Sequence, residues 1–318
     1  MISNFKFKDS QGICINTYKW EPDSSKKIKG IVQISHGMTE KAIRFSNFAE
    51  KLAGEGYIVY ANDHRGHGLT AASKEDLGYI EDDDGFNCMI RDMHELTEII
   101  KHQHEGMPII LFGHSMGAFL SQGYAQVCGD DIDALVLSGT TGNPPILTRL
   151  GILVAKYEVI SKGRRNRSKL IKKLSFESYN NKFKPTRTSA DWLSTVREEV
   201  DKFIEDDYCG FTCTSSFYYD FLRGLINIYK KKNLEKLPKE MPVLVFGGDR
   251  DAFGGFGKGI KDLYKIFKTY GLIDVQFKLY KNGRHEMLHE YNKDEVIDDI
   301  LSWLDQKTLL LNEKKSIK

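Results

Sequence analysis

Short runs of nearly continuous apolar residues recur along the chain. Five of them begin at Gly30, Tyr57, Pro108, Ala134 and Pro242. Runs of this kind are typical of parallel strands covered on both faces. A sixth run, at 275–280, alternates more and predicts an edge strand, while the stretches 4–8 and 14–20 flank Ser-Gln-Gly in the manner of a hairpin. The pattern therefore predicts eight strands.

Stretches of helical period lie between these runs. In the segment 86–104, Phe86, Met89, Ile90 and Met93 follow the i, i+3, i+4, i+7 spacing of a one-sided helix. Similar patterns cover roughly 41–54, 116–127, 257–270 and 293–307. Because strand and helix alternate from about residue 29 onward, we predict an α/β protein with a mostly parallel sheet and helices on both faces.

The alternation breaks once, between about residues 142 and 237. This segment contains helical stretches, many aromatic residues and two blocks of charge. Between Lys156 and Arg187 there are eleven Lys or Arg and two Glu, and between Asp191 and Asp207 seven Asp or Glu and two Lys or Arg. An insertion of this size between two strands predicts a helical cap (142–237) on a core formed by 1–141 and 238–318.

Composition narrows the class of protein. Hydrophobic residues make up 41% and charged residues 28% of 318 residues, which are globular values, and no apolar run is long enough to span a membrane. A net charge of +2 indicates no general affinity for nucleic acid. The N-terminus lacks the features of a signal peptide, and five scattered cysteines are typical of reduced thiols. We expect a soluble, cytoplasmic protein.

The strongest chemical motif is Gly113-His114-Ser115-Met116-Gly117, which joins an apolar run to a helical stretch. G-x-S-x-G between a strand and a helix is the nucleophile-elbow motif, in which glycines let strand and helix pass closely beside a strained serine. The alternative is a plain strand-to-helix turn. The context favours Ser115 as a nucleophile.

A serine nucleophile needs a base and an acid that orients the base. In this architecture the acid and then the histidine follow later strands. Asp251 follows the fifth run and His285 follows the sixth. Asp249 and His289 are the rivals, but Asp249 leaves its strand too early to reach across, and His289 lies a turn further on.

Two backbone N–H groups should stabilise the oxyanion of the tetrahedral intermediate. One is expected from Met116, the residue after the nucleophile, and the other from the loop after an early strand. His36-Gly37-Met38 ends the run that begins at Gly30, so Met38 is the predicted second donor. A simple turn at His36-Gly37 is the alternative.

Residues 285–289 also read His-Glu-Met-Leu-His, the H-E-x-x-H string of zinc proteases. Zinc binding needs both histidines on one helix face and a third ligand. Here the first histidine follows a strand and Lys-Asn-Gly, which favours a loop, and no third ligand stands out. We expect no metal and no cofactor, with His285 acting as the base.

These stretches resemble the α/β-hydrolase superfamily, and within it the monoacylglycerol lipase and lysophospholipase branch. The resemblance covers residues 30–305 and rests on S-H-G-M-T-E, A-N-D-H-R-G-H-G, G-H-S-M-G, G-G-D-R-D-A-F-G and G-R-H-E. It implies the α/β-hydrolase fold, a cap inserted after the sixth strand that shapes an acyl tunnel, and the site residues already named: the triad of Ser115, Asp251 and His285, the oxyanion donors Met38 and Met116, and the supporting residues His36, Gly37, Gly113, His114 and Gly117. The chain departs from this branch at Lys41, where a histidine is expected.

Two features of the predicted cap bear on the substrate. Phe211, Phe217 and Phe221 either line an apolar acyl pocket or pack the cap onto the core. The basic segment 162–173 either attracts anionic membranes or is a solvated face neutralised by the acidic block.

The sequence thus predicts a serine hydrolase acting on carboxylic esters of single-acyl lipids, either monoacylglycerols or lysophospholipids. A short-chain carboxylesterase, thioesterase or peptidase would use the same triad. A hydrolase fold that only binds its ligand is a further alternative.

Overall fold

The computed structural model describes residues 1–144 and 147–316. Eight strands form one sheet in the order β1-β2-β4-β3-β5-β6-β7-β8. Their bounds are β1 Ile2–Lys8, β2 Cys14–Trp20, β3 Gly30–Ser35, β4 Tyr57–Asn62, β5 Ile109–His114, β6 Ala134–Ser138, β7 Val243–Gly248 and β8 Val275–Tyr280. β2 pairs antiparallel with β1 and β4, and the remaining pairs are parallel. The predicted mostly parallel, eight-stranded sheet is confirmed.

The α-helices fall between the strands and in the long segment after β6. Their bounds are α1 Ser46–Gly54, α2 Gly85–Gln103, α3 Met116–Val127, α4 Leu147–Lys162, α5 Lys169–Lys172, α6 Ser178–Asn180, α7 Arg197–Glu205, α8 Ser215–Ile228, α9 Lys231–Leu234, α10 Lys258–Thr269 and α11 Lys293–Ser316. The helix predicted at 293–307 is longer than expected. The described residues contain no helix that is long and apolar enough to cross a membrane.

The sheet is buried on both faces because successive side chains of a strand point to opposite sides. Ile109 and Leu111 of β5 pack in one core with α2, α3 and α10, while Ile110 and Phe112 pack in the other with α1 and α11. Both faces of the central strands are therefore apolar, which explains their continuous apolar runs. Phe277 of β8 is partly exposed at the sheet edge, as its alternating pattern predicted.

The segment between β6 and β7 is attached to the sheet layer chiefly through α8. Helix α8 packs on α2 and α3, and α4 packs on α8. Thr214 fixes the start of α8, since its hydroxyl accepts from the N–H of Phe217 at 3.2 Å and its backbone N–H donates to the Gly78 carbonyl at 2.9 Å. A separate small core includes Trp192, Leu193 and Phe203. This segment therefore has apolar packing of its own.

Candidate active site

Ser115 lies on a strained turn between β5 and α3. Its backbone has φ 52° and ψ −115°, outside the regions that a non-glycine residue ordinarily occupies. A Cβ on Gly113 would lie 2.5 Å from the Gly117 carbonyl oxygen, and a Cβ on Gly117 would collide with the carbonyl of Ser35 in β3. Both glycines are required by close backbone approach, so the chain meets the steric conditions of a nucleophile elbow.

Ser115, His285 and Asp251 form a continuous hydrogen-bonded chain. His285 Nε2 lies 2.9 Å from Ser115 Oγ, and His285 Nδ1 lies 3.1 Å from Asp251 Oδ2. Because a carboxylate only accepts, Nδ1 carries the proton and Nε2 is free to accept from the serine hydroxyl. The three residues meet because β5, β7 and β8 are parallel, so the loops that follow them lie at the same edge of the sheet.

The imidazole of His285 is buried among rings. Trp192 lies 4.8 Å from it between ring centroids, His114 5.1 Å and Phe253 5.3 Å. Burial alone lowers the pKa of His285, but the charge and hydrogen bond of Asp251 outweigh burial, so the pKa is raised above its usual value of 6.5. Asp251 is itself held by the N–H of Phe253, at 2.9 Å from Oδ1.

The rival acid and base lie elsewhere. Asp249 Oδ1 accepts from the N–H of Asn282 at 2.7 Å and so closes the loop after β8. His289 Nε2 lies 3.3 Å from the Arg44 carbonyl oxygen, and its Nδ1 lies 3.4 Å from Glu286 Oε2. Burial lowers the pKa of His289. Neither residue joins the chain that ends at Ser115.

The H-E-x-x-H string does not assemble a metal site in the described residues. His285 Nε2 points at Ser115 while His289 Nε2 points at the Arg44 carbonyl. Within residues 1–144 and 147–316, the one cluster with metal-ligating spacing is His94, Cys128 and Asp131. Asp131 there is already bonded to His94 and, at 2.8 Å, to Lys101, and the cluster shares no residue with the cavities around Ser115.

Met38 and Met116, the predicted oxyanion donors, line the same cavity as Ser115. Met116 is the first residue of α3, so its N–H has no acceptor within the helix. In the loop after β3, the N–H of Gly37 is occupied by Glu40 Oε1 at 2.6 Å, whereas that of Met38 has no acceptor among the described residues. Gly37 is needed for space rather than for its backbone angles, because a Cβ there would lie 2.5 Å from Glu40 Oε1 and 3.3 Å from Ser115 Cβ.

A buried ion cluster beneath this loop was not predicted from the sequence. Arg44 donates to Glu40 Oε2 at 2.6 Å and to both oxygens of Glu286, at 2.9 and 2.7 Å. One guanidinium thus serves two carboxylates. Although burial opposes ionisation, Arg44 holds the pKa of Glu286 well below its usual value, while burial and the neighbouring Glu286 raise the pKa of Glu40 to about 7. Glu286, the middle of the zinc-like string, therefore supports the loop that carries Met38.

The remaining motif histidines are buried and hydrogen-bonded. His36 Nε2 accepts from the His64 N–H at 3.0 Å, which leaves Nδ1–H to donate to the Gly37 carbonyl at 2.8 Å. His114 Nδ1 lies 3.3 Å from Ser138 Oγ. Burial lowers the pKa of His36 and His114 well below the usual value, and that of His67 to about 4. These rings are neutral packing groups around the site.

Two cavities meet at Ser115, and both are also lined by Met38 and Trp192. The larger, which we call the apolar cavity, has a volume of about 610 Å³ and is lined mainly by aliphatic and aromatic side chains from α3, α4 and α8. The smaller, the polar cavity, has a volume of about 340 Å³. Besides residues 37–40, it is lined by His285, by three lysines (Lys169, Lys172 and Lys173) and by apolar residues that include Leu193 and Phe203, so it is polar only in comparison with the larger cavity.

The structure corrects two of the three predicted pocket residues. Phe221 lines the apolar cavity, but Phe211 and Phe217 line neither cavity. Phe217 is fully buried, with its ring 6.0 Å from His67, and Phe211 lies 5.3 Å from the same ring. Both pack the 142–237 segment onto the sheet layer, which is the alternative that the sequence left open.

Most cations of the basic segment 162–173 are bonded within the protein. Arg164 pairs with Asp83, Arg165 with Asp76 and Lys162 with Glu158. Arg167 donates to backbone carbonyls, among them that of Thr212 at 3.1 Å. The partners are mainly on the sheet layer rather than in the acidic block 191–207, so the neutralisation expected from that block does not occur for these residues.

Comparisons with known proteins identify the family and the fold. Residues 26–292 match the family model described as serine aminopeptidase, S33. A monoacylglycerol lipase of Mycolicibacterium smegmatis is 26% identical over 305 residues, covering 95% of this chain and 96% of that protein. Human monoglyceride lipase is 26% identical over 294 residues, covering 91% and 86%. The crystal structure of a carboxyl esterase from Bacillus coagulans, in complex with glycerol, superposes with a TM-score of 0.89 at 27% identity, covering 96% and 99%.

Proposed function

The chain belongs to the serine aminopeptidase S33 family of α/β-hydrolases, and we propose that it is a carboxylic ester hydrolase whose substrates are single-acyl lipids. The observation that carries this proposal is the meeting of two unlike cavities at one activated serine. The apolar cavity is suited to an acyl chain, and the polar cavity beside it is suited to an alcohol.

The proposed chemistry uses Ser115, His285 and Asp251. Ser115 Oγ bonds to the ester carbonyl carbon while its proton passes to His285 Nε2, and the carbonyl oxygen takes the negative charge beside the N–H groups of Met38 and Met116. The bond from carbon to the alcohol oxygen then breaks, and the alcohol leaves with the proton from His285. Water repeats the sequence on the acyl-enzyme, which releases the fatty acid and restores the serine.

The position of His285 supports the assignment of the two cavities. The leaving alcohol must lie within hydrogen-bonding distance of the group that protonates it. His285 lines the polar cavity and not the apolar one. The alcohol therefore belongs in the polar cavity, which leaves the apolar cavity of about 610 Å³ for the acyl chain.

The charges that line the polar cavity argue against the aminopeptidase activity that the family description names. A free α-amino group is a cation and would need an available carboxylate close to the serine. Glu40 and Glu286 are both engaged by Arg44, and three lysines face the same space. Glu177 is the other acidic residue among those that line it. The charges of this cavity favour esters over amino-terminal peptides.

We test the proposed function with Ser115→Ala and a series of esters of increasing acyl length. The variant should lose hydrolysis and labelling by a fluorophosphonate probe while unfolding at the wild-type denaturant concentration. In the wild type, kcat/KM should rise about fourfold for each added methylene until the apolar cavity is filled. An unchanged rate in Ser115→Ala, or a preference for acetyl esters, contradicts the proposal. A thioester and a peptide of matched length complete the panel.

We further propose that residues 142–237 act as the cap of the site and that the protein contacts lipid surfaces through α4. Five large side chains on this helix are more than half exposed: Leu147, Leu150, Leu153, Tyr157 and Ile160. Leu147 and Leu150 also line the apolar cavity, so this surface lies at its entrance. The charge of segment 162–173 is a secondary contribution, because most of its cations are already bonded. Leu153→Glu with Ile160→Glu should weaken sedimentation with vesicles; equal binding by the wild type and this variant contradicts the contact.

The five free cysteines support a cytoplasmic location.

A further inference from the structure

The polar cavity beside Ser115 contains an excess of positive charge close to the proposed position of the leaving alcohol. Lys169, Lys172 and Lys173 all line it, on α5 and the helical turn that follows. Glu177 is exposed at the same cavity and offsets one of these charges. Arg44 compensates one of the two carboxylates Glu40 and Glu286. Burial and the neighbouring Glu286 also raise the pKa of Glu40 to about 7, so this pair contributes at most about one negative charge and the cavity keeps a net positive charge.

The three lysines differ from the other cations of the same segment. Lys162, Arg164 and Arg165 each form an ion pair with a carboxylate. In the part of the chain that the structure describes, no carboxylate oxygen lies within 4.0 Å of the ammonium nitrogen of Lys169, Lys172 or Lys173. In the described residues the cations that line the cavity therefore have no acidic partner; Arg167 has none either, but its guanidinium donates to backbone carbonyls, among them that of Thr212.

Lys172 is the most constrained of the three. It is half-buried, and its Nζ donates to the Gly210 carbonyl at 2.6 Å, which uses one of its three N–H groups. Burial lowers the pKa of Lys172, with the nearby Cys213 acting in the opposite direction. A half-buried ammonium group with donors to spare is stabilised by an anion that enters the cavity.

We infer that the leaving alcohol carries a phosphate group, so that the preferred substrates are acyl glycerol phosphates rather than uncharged monoacylglycerols. This inference rests on the proposed function, because it assigns the alcohol to the cavity that His285 lines. With the ester carbonyl at Ser115 and the acyl chain in the apolar cavity, the phosphate extends toward Lys172, Lys169 and Lys173. The lysines then bind the headgroup and take no part in the bond changes.

The test compares decanoyl glycerol phosphate with decanoyl glycerol, both below their critical micelle concentrations so that adsorption to a lipid surface does not enter. For the wild type, kcat/KM should be at least about tenfold higher for the phosphate ester, the effect of one charge-assisted hydrogen bond. The ratio should fall as salt is added, because the lysines are partly exposed. In Lys172→Gln and in the double variant Lys169→Gln, Lys173→Gln the ratio should fall about tenfold, and Lys172→Arg should restore it.

Lys182→Gln is the matched control, since Lys182 is an exposed lysine within residues 142–237 but outside the basic segment 162–173, and it lines neither cavity. It removes the same charge and should leave the ratio unchanged. The headgroup inference is overturned if the wild type hydrolyses the two esters with nearly equal kcat/KM. It is also overturned if the control Lys182→Gln changes this ratio as much as Lys172→Gln and the double variant do. Either result leaves the proposed ester hydrolase activity unaffected. Failure to hydrolyse either ester, or any other ester of the acyl series, overturns the proposed function and this inference together.

Discussion

Replacing Arg44 by Met should destabilise the protein strongly, because Arg44 is the cation that binds the buried carboxylates of Glu40 and Glu286. Its side chain lies between Glu40 and Glu286 with N–O distances of 2.6 to 2.9 Å, and the exposed fractions of the three side chains are 10%, 3% and 5%. Removing one partner of a buried pair leaves an uncompensated charge, which costs roughly 3–5 kcal/mol. Methionine keeps an unbranched aliphatic side chain but also removes the guanidinium that lies over the Phe203 ring, 5.0 Å from Cζ to the centroid, so the loss includes this smaller cation–π contribution.

The loss should depend on pH in a defined direction. In the native protein Arg44 holds the pKa of Glu286 below its unfolded value of about 4.5, so this contribution to stability is present above pH 4.5 and is lost as the pH falls through the native pKa. The pKa of Glu40 is already raised to about 7 in the native protein by burial and by Glu286. Without Arg44, burial raises the pKa of Glu286 above the unfolded value and that of Glu40 further, which penalises the folded state at neutral pH. The difference in unfolding free energy between wild type and variant should therefore be larger at pH 7.5 than at pH 5.5.

Urea unfolding followed by circular dichroism at these two pH values measures the effect. Arg91→Met is the matched control, since Arg91 pairs with Asp84 at 3.3 Å on the surface and both side chains are about half exposed. Its loss should cost less than about 1 kcal/mol. The reasoning is refuted if Arg44→Met destabilises no more than Arg91→Met, or if its cost grows toward acid pH. Activity should also fall, because Glu40 holds the N–H of Gly37 beside Met38.

Three further predictions concern the site. Asp251→Asn should lower kcat by about 10⁴-fold and move the acidic limb of the pH–rate profile to lower pH, because Asp251 raises the pKa of His285; a limb that moves to higher pH would contradict this assignment. Phe221→Ala should shift the preferred acyl length upward, because it enlarges the apolar cavity. Phe217 is buried and does not line that cavity, so Phe217→Ala should cost about 3–5 kcal/mol of stability and leave the preferred acyl length unchanged. An acyl-length series and denaturant unfolding measure the two effects. A chelator should leave the rate unchanged, because the ring nitrogens of His285 and His289 are directed to separate partners; a loss of activity that zinc restores would argue for the metal site.

Burial periodicity made the sheet and most helices predictable. The apolar runs at 30–35, 134–138 and 275–280 coincide with β3, β6 and β8, and the helical stretch at 116–127 coincides with α3. These patterns are local, because a strand covered on two faces and a helix covered on one each impose their own period on the sequence. The helix at 293–307 was predicted nine residues too short, since the extension begins with three consecutive leucines, Leu309 to Leu311, and ends in polar residues, so it carries no one-sided apolar repeat.

The candidate triad was predictable for a related reason. The nucleophile elbow is a local steric motif, and the order of parallel strands brings the loops after β7 and β8 to the edge where Ser115 lies. By contrast, Arg44 and Glu286 are 242 positions apart, and no spacing in the sequence indicates that they meet. The H-E-x-x-H string that contains Glu286 is instead typical of a zinc site.

By itself, the sequence determined the layered α/β fold, the strained turn at Ser115 and the identities of the nearby aspartate and histidine, because these follow from short-range periodicity, from steric limits on the backbone and from chain order. Only the tertiary structure decided which aromatic residues line a cavity, which basic residues lack an acidic partner, and that two cavities of unlike character meet at one serine. Those properties depend on how loops distant in sequence approach one another. Burial and charge pairing are consequences of that approach, and the amino-acid pattern of any single segment does not contain it.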